Sequence, residues 1–355
     1  MGKWLVFTVI FISAVVIALP SPVEPAAYNP APAVELNGVW TPNEALTNAQ
    51  LWAKGKIIGP EDVAADDQGR IYGGLRNGTI VRINADGSDS LFADTGGRPL
   101  GLHFDNAGNL IVADAIKGLL QINPAGEITT LTTQANGIPL GFTDDLDITQ
   151  DGLIIFSDAS SKWSIHDYKL DALEAKPYGR LVAYDPLSKK TTVLLEGLYF
   201  ANGVALSHDD SFVLVNETWR YRVTRYWLKG DKQGQHDVFI DNLPGFPDGI
   251  SSNKRGTFWL ALAAPRNPML DNSHPYPWLK KQLAKLPKAL QPKAQPYGFV
   301  VALNEAGHVV QTLHDTKGRV LTEITSVEQV GNRLLMGSLS ADQIGEMVVP
   351  EPFRL

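Results

Sequence analysis

Apolar and polar residues alternate in short runs from about residue 50 onward, and no long amphipathic helix begins before residue 275. One unit recurs in this region: a polar turn that ends in glycine or an equivalent residue, then a short apolar run. The turn positions of the six copies are Gly69, Gly108, Gly152, Asp210, Gly256 and Asn332. A second apolar run follows each copy, as TIVRIN, KGLLQIN, GRLVAYD, RVTRYWL, GFVVALN and EMVVP. The pattern predicts an all-β chain built from repeats.

The repeat length indicates how these units assemble. Six units over roughly 300 residues give about 50 residues each, close to the blade lengths of known propellers. A unit that cannot bury both of its faces alone must stack on neighbours, and closure into a ring removes exposed strand edges. We therefore predict a six-bladed β-propeller with four-stranded blades. A β-sandwich with many strands is the alternative, but it predicts no repeat register.

Equivalent positions of the repeats carry oxygen-bearing side chains. Counting back eight residues from each turn position gives Leu100 in the second copy and Ile324 in the sixth. The other four copies give Glu61, Asp144, Asn202 and Asp248. Equivalent positions on the innermost strands of a propeller surround its central channel, so these four side chains are expected to converge near the axis. Glycine follows two of them directly, in Asn202-Gly203 and Asp248-Gly249, where a backbone bend would turn the side chain inward.

Three carboxylates and one amide that point at one place form an unusual set. The carboxylates repel one another and are costly to desolvate unless a cation lies among them. Hard oxygen ligands without His or Cys favour Ca²⁺, and Mg²⁺ is less suited because it requires stricter octahedral geometry. The pattern predicts one Ca²⁺ in the central channel. The alternative is that these are ordinary turn residues whose spacing coincides.

The N-terminal region differs from the rest of the chain. Residues 4 to 19 carry no charge, and a Pro-rich stretch follows. Sixteen such residues are short for a membrane-spanning helix of about 20 and long for the apolar core of a signal peptide. We divide the chain into a membrane anchor or signal segment (1–20), a stiff Pro-rich linker (21–44) and the propeller (45–355). We expect an uncleaved anchor with the propeller facing the periplasm or the extracellular side, and secretion after signal cleavage is the alternative.

Residues 274 to 293 interrupt the fifth repeat with a Pro-bounded, Lys-rich stretch that predicts a helix. It is either a solvated excursion on one rim, or a cationic amphipathic element that lies against a bilayer or covers the channel.

Composition excludes several classes of function. The net charge of -7 argues against a nucleic-acid partner. The absence of cysteine excludes disulfides, a thiolate nucleophile and any Cys-based metal site. No GxSxG motif indicates a serine nucleophile.

Several segments together resemble a known family. They are RPLGLHFDNAGNLIVADAIKGLL, TQDGLIIFSDASSKWSIHDYKLDALEAKPYGRLVAYD, YFANGVALS, LPGFPDGI and YPWLKKQLAKL. Over about residues 45 to 348 the chain resembles the strictosidine synthase-like and adipocyte plasma membrane-associated protein family of six-bladed calcium propellers. The SDASSKW…DY…GRL cluster is specific, whereas FANG and FPDG are shared with wider lactonase and phosphotriesterase propellers.

The resemblance implies a channel Ca²⁺ bound by Glu61, residue 144, Asn202 and Asp248. Such propellers hydrolyse lactones, aryl esters or organophosphates: the metal polarises the carbonyl or phosphoryl oxygen, and a metal-bound carboxylate acts as general base or nucleophile. Asp248 is the candidate for that second role. The family has Asn-Asp where this chain has Asp144-Asp145, and the extra charge would tighten Ca²⁺ binding while weakening its Lewis acidity.

Other residues are secondary candidates. Asp145 is expected to support Asp144 from behind, as carboxylate ligands usually need such partners. His103 is a candidate pocket residue whose alternative role is a hydrogen-bonded interior histidine. Asp114 and Asp158 share a second register and either rim the pocket or cap strand ends. Strictosidine synthases use a glutamate in the last blade where this chain aligns Thr325, so strictosidine-type condensation is not expected.

Two functions remain open from sequence. The first is an exported, membrane-tethered, Ca²⁺-dependent hydrolase of a small-molecule lactone or (aryl)ester. The second is a metal-stabilised propeller that binds a ligand or protein and catalyses nothing.

Overall fold

The computed structural model describes residues 19–287, 290–291 and 294–354. Six four-stranded antiparallel sheets surround a central channel, which confirms the prediction of a six-bladed β-propeller. The predicted anchor or signal segment lies almost wholly outside the described residues. No helix within the described part of the chain is long and apolar enough to cross a membrane.

Strand β1 (Gln50–Trp52) precedes the first blade and belongs to the last one. Blade one contains β2 (Val63–Ala65), β3 (Ile71–Gly74), β4 (Thr79–Ile83) and β5 (Asp89–Asp94). Blade two contains β6 (Pro99–Phe104), β7 (Leu110–Asp114), β8 (Gly118–Ile122) and β9 (Ile128–Thr132). A small hairpin, β10 (Gln134–Ala135) and β11 (Ile138–Pro139), leads to blade three. That blade contains β12 (Thr143–Ile148), β13 (Ile154–Asp158), β14 (Gly179–Asp185) and β15 (Lys190–Leu198).

The second half of the ring repeats this order. Blade four contains β16 (Ala201–Leu206), β17 (Phe212–Glu217), β18 (Arg222–Trp227) and β19 (His236–Ile240). Blade five contains β20 (Gly245–Ser252), β21 (Thr257–Pro265), β22 (Gly298–Asn304) and β23 (Val309–Asp315). Blade six contains β24 (Ile324–Val330), β25 (Arg333–Ser338) and β26 (Ile344–Val348). Because β1 pairs with β26, the beginning of the described chain supplies the outermost strand of the last blade and closes the ring.

The sequence repeat corresponds to defined parts of each blade. Every predicted turn joins an innermost strand to the second strand, and every second apolar run forms the third strand. We call the face with these turns the lower face, and the opposite face, where the innermost strands begin, the upper face. Apolar side chains from adjacent blades pack between the sheets; one such cluster joins blades four and five through Leu214, Phe258 and Leu260.

Two long connections cross the upper face. Residues 159–178 join β13 to β14 and contain helix α1 (Tyr168–Glu174). Residues 266–297 join β21 to β22 and contain α2 (Pro268–Ser273) and α3 (Pro277–Leu283). Of these two helices, only α3 lies within the Lys-rich stretch 274–293 that was predicted to be helical. Asn267 caps α2 by accepting hydrogen bonds from the amides of Met269 and Leu270. We call these two connections the lid.

The Pro-rich segment 21–44, which we call the strap, contains one turn of 3₁₀ helix (Gly38–Trp40) and no other helix or strand. It packs on the propeller instead of leaving it. Val23 is buried, the Tyr28 amide donates to the carbonyl of His274, and Asn43 bonds the carbonyl of Thr312 in β23. Arg220 stacks between the rings of Tyr28 and Tyr199, at 3.8 and 3.5 Å from their centroids. The strap therefore connects the lid to blade five.

Candidate metal centre and cavity

The innermost strands of blades two to five share a β-bulge, which orients three of the four candidate ligands. In β12, Thr143 pairs with Asp158 and Leu146 pairs with Phe156, so Asp144 and Asp145 lie opposite a single residue. Strands β6, β16 and β20 show the same interruption at the positions of Leu100, Asn202 and Asp248. A bulge bends the strand and redirects a side chain. In blades two to five, the residue eight positions before the turn therefore occupies a structurally equivalent position.

Blade six departs from this register. Ile324 pairs with Ser338 and Ser326 with Gly337, so the irregularity is one residue shorter than in blades two to five. Ile324 is consequently buried in the core between blades, and Thr325 lines the channel instead. The Thr325 hydroxyl donates to the backbone carbonyl of Glu61 at 2.6 Å, which links blade six to blade one.

The four predicted ligands come together at the upper part of the channel, each from a different blade. Glu61, Asp144 and Asn202 are 4–7% exposed, and Asp248 is half-buried. Burial raises the pKa of Asp144, and the nearby carboxylates of Glu61 and Asp248 raise it further. The pKa of Glu61 is raised by burial and then by Asp248. These mutual effects mean that the carboxylates are close enough to repel one another strongly.

Two groups partly offset this repulsion. Arg98 is buried, and its guanidinium lowers the pKa of both Glu61 and Asp144. Arg98 is held in place by the backbone carbonyls of Gly59 and Gly74, at 3.0 and 3.4 Å from Nη1. Burial raises the pKa of Asp248 to about 7, and a hydrogen bond from Asn202 opposes that rise.

The donor set suits a hard cation, because it consists of carboxylate and amide oxygens from four blades. One guanidinium beside three buried carboxylates leaves an excess of negative charge that a divalent cation would balance. Across residues 19–287, 290–291 and 294–354, however, no three His, Asp or Glu side chains are arranged so that they could hold a metal ion. To bind one shared ion, the carboxylate side chains would have to move closer together.

Backbone contacts hold the candidate ligands from behind. The Asp145 carboxylate accepts hydrogen bonds from the amides of Leu146 and Val204 at 2.8 Å, which ties blade three to the strand that carries Asn202. Asp62, next to Glu61, accepts the Leu102 amide of blade two at 2.7 Å in the same way. Asn216 donates to the carbonyl of Asp248. Asp145 therefore fixes a neighbouring blade, and its carboxylate is near enough to raise the pKa of Asp144.

A large apolar cavity lies above the candidate ligands. Its volume is about 540 Å³, and Asn202 and Asp248 line it. We call it the upper cavity. Aromatic side chains form part of its wall, and the lid helices α1 and α2 cover it, so it lies between the propeller and the lid. The aromatic residues are Tyr168, Phe200, Trp219 and Phe246.

Buried polar contacts hold α1 against the propeller. Asp171 is fully buried, and its carboxylate accepts a hydrogen bond from the Ser160 hydroxyl at 2.6 Å. The Glu174 carboxylate accepts from Lys162 Nζ and from Trp163 Nε1, both at 2.7 Å. These are the residues of the SDASSKW and LDALE segments. The buried carboxylates that order this loop were not identified from the sequence.

A second, smaller pocket lies below the candidate ligands, toward the lower face. His103 lines it, with Nε2 at 3.8 Å from the Asp147 carboxylate. Asp147 also accepts hydrogen bonds from Lys254 Nζ and from the Leu206 amide, each at 2.8 Å. Lys254 lowers the pKa of Asp147, although burial opposes the effect. His103 therefore lies on the lower side of the channel, away from the upper cavity.

Asp114 and Asp158 cap strand ends. The Asp114 carboxylate accepts hydrogen bonds from the backbone amides of Arg98, Ile116 and Lys117, each at 2.9 Å. Asp158 accepts from the amides of Gly141 and Phe142 and forms a buried ion pair with Arg180 at 2.5 Å. Both carboxylates order the loops that lead into innermost strands.

Comparisons with known proteins agree with this architecture. A profile described as strictosidine synthase matches residues 144–231, and one described as strictosidine synthase-like, N-terminal, matches residues 38–83. The adipocyte plasma membrane-associated protein of Salmo salar is 37% identical over 345 residues, which cover 90% of this chain and 82% of that protein.

Two solved structures share the fold at low identity. The gluconolactonase of Xanthomonas campestris has a TM-score of 0.62 and 16% identity, over 94% of this chain and 99% of that one. Regucalcin, a calcium-binding protein of Agrobacterium tumefaciens, has a TM-score of 0.58 and 14% identity, over 84% and 91%. At these identities the likeness shows the fold alone. The relative that is 37% identical over 90% of the chain shows the family: the chain belongs to the strictosidine synthase-like and adipocyte plasma membrane-associated protein family.

Proposed function

We propose that this protein is an exported, membrane-tethered, Ca²⁺-dependent hydrolase of lactones or (aryl)esters. The observation that carries the proposal is the position of Asn202 and Asp248. Both line the upper cavity, and the carboxylates of Glu61 and Asp144 lie beside them in the channel. A polar, charge-rich floor under an apolar cavity is the usual arrangement of a small-molecule site.

Glu61, Asp144, Asn202 and Asp248 would hold the ion. When bound, Ca²⁺ supplies a Lewis acid that polarises the substrate carbonyl. The protein's own oxygen donors come from four blades, so the ring must be closed for all of them to face the channel together.

Asp248 is the proposed catalytic residue. It takes a proton from the water that attacks the carbonyl carbon, and the C–O bond to the alcohol, phenol or ring oxygen then breaks as that oxygen accepts a proton. Alternatively, it attacks the carbonyl carbon itself, displaces the same oxygen and forms an acyl-enzyme that water then cleaves. Asn202 donates a hydrogen bond to Asp248, which fixes the carboxylate, and Asn216 holds the backbone of the same residue. The aromatic wall of the upper cavity would bind the acyl or aryl part of the substrate and exclude water from it.

Different comparisons support the hydrolase and Ca²⁺ part of this proposal and the membrane part. A gluconolactonase and a calcium-binding regucalcin share the fold, and a relative is named for the plasma membrane. The uncharged residues 4–19 would provide the tether, with the propeller on the periplasmic or extracellular side. Cleavage of that segment would instead release a secreted enzyme.

Hydrolysis of a panel of lactones and aryl esters, with and without chelator, tests the proposal. Asp248→Asn should reduce turnover by about 10²-fold or more, the usual size of a general-base contribution, while Ca²⁺ still binds. Asp185→Asn, in a lower-face turn, is the matched control and should leave turnover unchanged. Full turnover in Asp248→Asn with Ca²⁺ bound would refute the catalytic assignment. Ca²⁺ binding by the wild-type protein without activity on any substrate would favour the non-catalytic binding propeller.

A further inference from the structure

The two faces of the propeller differ in the apolar side chains that they expose. The described residues outside the strap and the strands of the six blades include eight large apolar side chains, from residue 58 onward, that are exposed. Only Leu187, in the turn between β14 and β15, lies at the lower face. Ile58, Ile116 and Ile138 lie in upper-face loops and are 57%, 51% and 49% exposed. The exposed apolar residues of the connections therefore lie almost entirely at the upper face.

The other four exposed apolar residues belong to the lid. Met269 is in α2, Trp278 in α3, Tyr276 lies between these helices, and Leu290 follows α3. Their exposed fractions are 58%, 66%, 54% and 67%. Lys281, also exposed, is three residues from Trp278 on α3, so the two share a helix face. An exposed tryptophan, a tyrosine and a lysine on one short helical element are typical of a membrane interface.

The path of the strap brings Leu19, where the described chain begins, to the same side. The Ala26 amide donates to the carbonyl of Glu174, at the end of α1. Lys280 of α3 is fully buried and donates to the carbonyl of Ala26 at 2.6 Å. The strap therefore runs between two lid helices. From buried Val23 to Leu19 the chain spans at most about 14 Å, so Leu19, the last of the uncharged residues 4–19, lies near the lid.

We propose that the upper face of the propeller docks on the surface of a phospholipid bilayer through the lid and its neighbouring loops. Trp278, Tyr276 and Met269 enter the boundary between headgroups and acyl chains, and Lys281 contacts the headgroups. The upper cavity then opens beside the membrane, and an apolar ligand reaches it from the lipid phase. The docked orientation depends on the lid and the strap, and it holds whether or not the site hydrolyses its ligand.

The absence of cysteine makes site-specific labelling straightforward. The full-length chain carrying Trp278→Cys is labelled with an environment-sensitive fluorophore and reconstituted into vesicles of phosphatidylcholine and phosphatidylglycerol. Leu187→Cys, which is 94% exposed at the lower face, is the matched control. Tyr276→Cys provides a second lid position. Lipids that carry a spin-label quencher at defined depths report the position of each label.

Labels at residues 278 and 276 are expected to emit at shorter wavelength and to lie about 5–10 Å into the interface. The label at residue 187 should stay in water. Equal water exposure at residues 278 and 187 would overturn the proposal. The proposal would also be overturned if the label at residue 278 emits at shorter wavelength but lipid-borne quenchers do not reduce its fluorescence intensity. The lid would then be covered by protein, such as a second copy of this chain. Neither the emission wavelength nor the quenching by lipids depends on ester hydrolysis. Failure of the proposed hydrolase function can therefore be told apart from failure of the docking proposal.

Discussion

Asp144 is the candidate metal ligand at which the resemblance drawn from the sequence leads us to expect asparagine in other members of the family. Its carboxylate adds a charge to Glu61 and Asp248, and the raised pKa of Asp144 reflects both burial and that crowding. A cation in the channel would relieve the repulsion. The extra charge should strengthen binding of the ion and, for the same reason, reduce its ability to polarise a carbonyl.

Asp144→Asn should therefore change the Ca²⁺ affinity and the rate of ester hydrolysis in different directions. Removal of one charge should weaken Ca²⁺ binding by about tenfold or more, since unit charges about 4 Å apart near a protein surface interact by a few kcal/mol. Turnover of the Ca²⁺-saturated variant should be equal to or faster than that of the wild type. Calorimetric titration with Ca²⁺ and ester hydrolysis at saturating Ca²⁺ measure the two effects. Asp151→Asn, on an exposed turn, is the control, and unchanged affinity in Asp144→Asn would contradict the shared register.

The single residue Asp171 should make the free energy of unfolding of the protein depend on pH. Burial raises its pKa from 3.8 to about 7, so the folded protein holds a proton that the unfolded chain releases between these values. Its contribution to stability is full below pH 3.8 and is lost as the pH rises toward 7. Between pH 5 and pH 8 the wild type should lose about 2–3 kcal/mol of unfolding free energy relative to Asp171→Asn. Urea denaturation at both pH values measures this difference, and parallel pH profiles of the two proteins would disprove it.

At the scale of the element, buried carboxylates connect the loops of the upper face to the strands below. Asp158, at the end of β13, bonds the amides of Gly141 and Phe142 just before β12 begins. The same carboxylate neutralises Arg180, which is 4% exposed. One side chain thus fixes the entry of the strand that carries Asp144.

Asp158→Ala should cost about 3–5 kcal/mol of unfolding free energy, because it leaves the Arg180 guanidinium buried without its partner. Ca²⁺ affinity should fall as well, since β12 loses its anchor. Glu44→Ala, which breaks the exposed ion pair with Arg319, is the control and should cost far less, because solvent screens such a pair. Chemical denaturation measures both, and equal costs for the two variants would show that Asp158 is not an anchor.

The elements also show which parts of the fold could be predicted. The first three strands of a blade were recognisable because a turn and two apolar runs repeat six times. The outermost strands were not individually recognisable: β9, for example, is largely exposed and has no apolar run. The closing strand β1 pairs with a strand nearly 300 residues away, a contact that no local pattern records.

The site shows a similar division. The positions of Asp144, Asn202 and Asp248 follow from a bulge that recurs at a fixed distance from a turn, so a count along the sequence finds them. Thr325 replaces Ile324 in the channel because the irregularity in blade six is shorter. The upper cavity was not predictable, since it depends on how two connections more than 80 residues apart pack together above the ring.

At the scale of the whole molecule, the channel geometry depends on how closely neighbouring innermost strands approach. A methyl group on Gly249 would lie 2.5 Å from the backbone carbonyl oxygen of Thr325 in the next blade. A methyl on Gly101 would lie 2.7 Å from the Cα of Asp145. These glycines let adjacent blades touch around the axis, which is the condition for four separate blades to present oxygen atoms to one place.

Gly249→Ala tests this dependence. The added methyl meets backbone, which cannot rotate away, so blades five and six must separate locally. Because Gly249 directly follows Asp248, we expect Ca²⁺ affinity to fall by about tenfold or more, while the blades, each with its own hydrogen-bonded sheet, keep their secondary structure. Ser252→Ala, on the same strand, is the control and should leave the affinity unchanged. Titration with Ca²⁺ and far-ultraviolet circular dichroism measure the two properties. If Gly249→Ala bound Ca²⁺ with unchanged affinity, the ring would tolerate a wider channel. Ca²⁺ binding would then not depend on the contact between blades five and six.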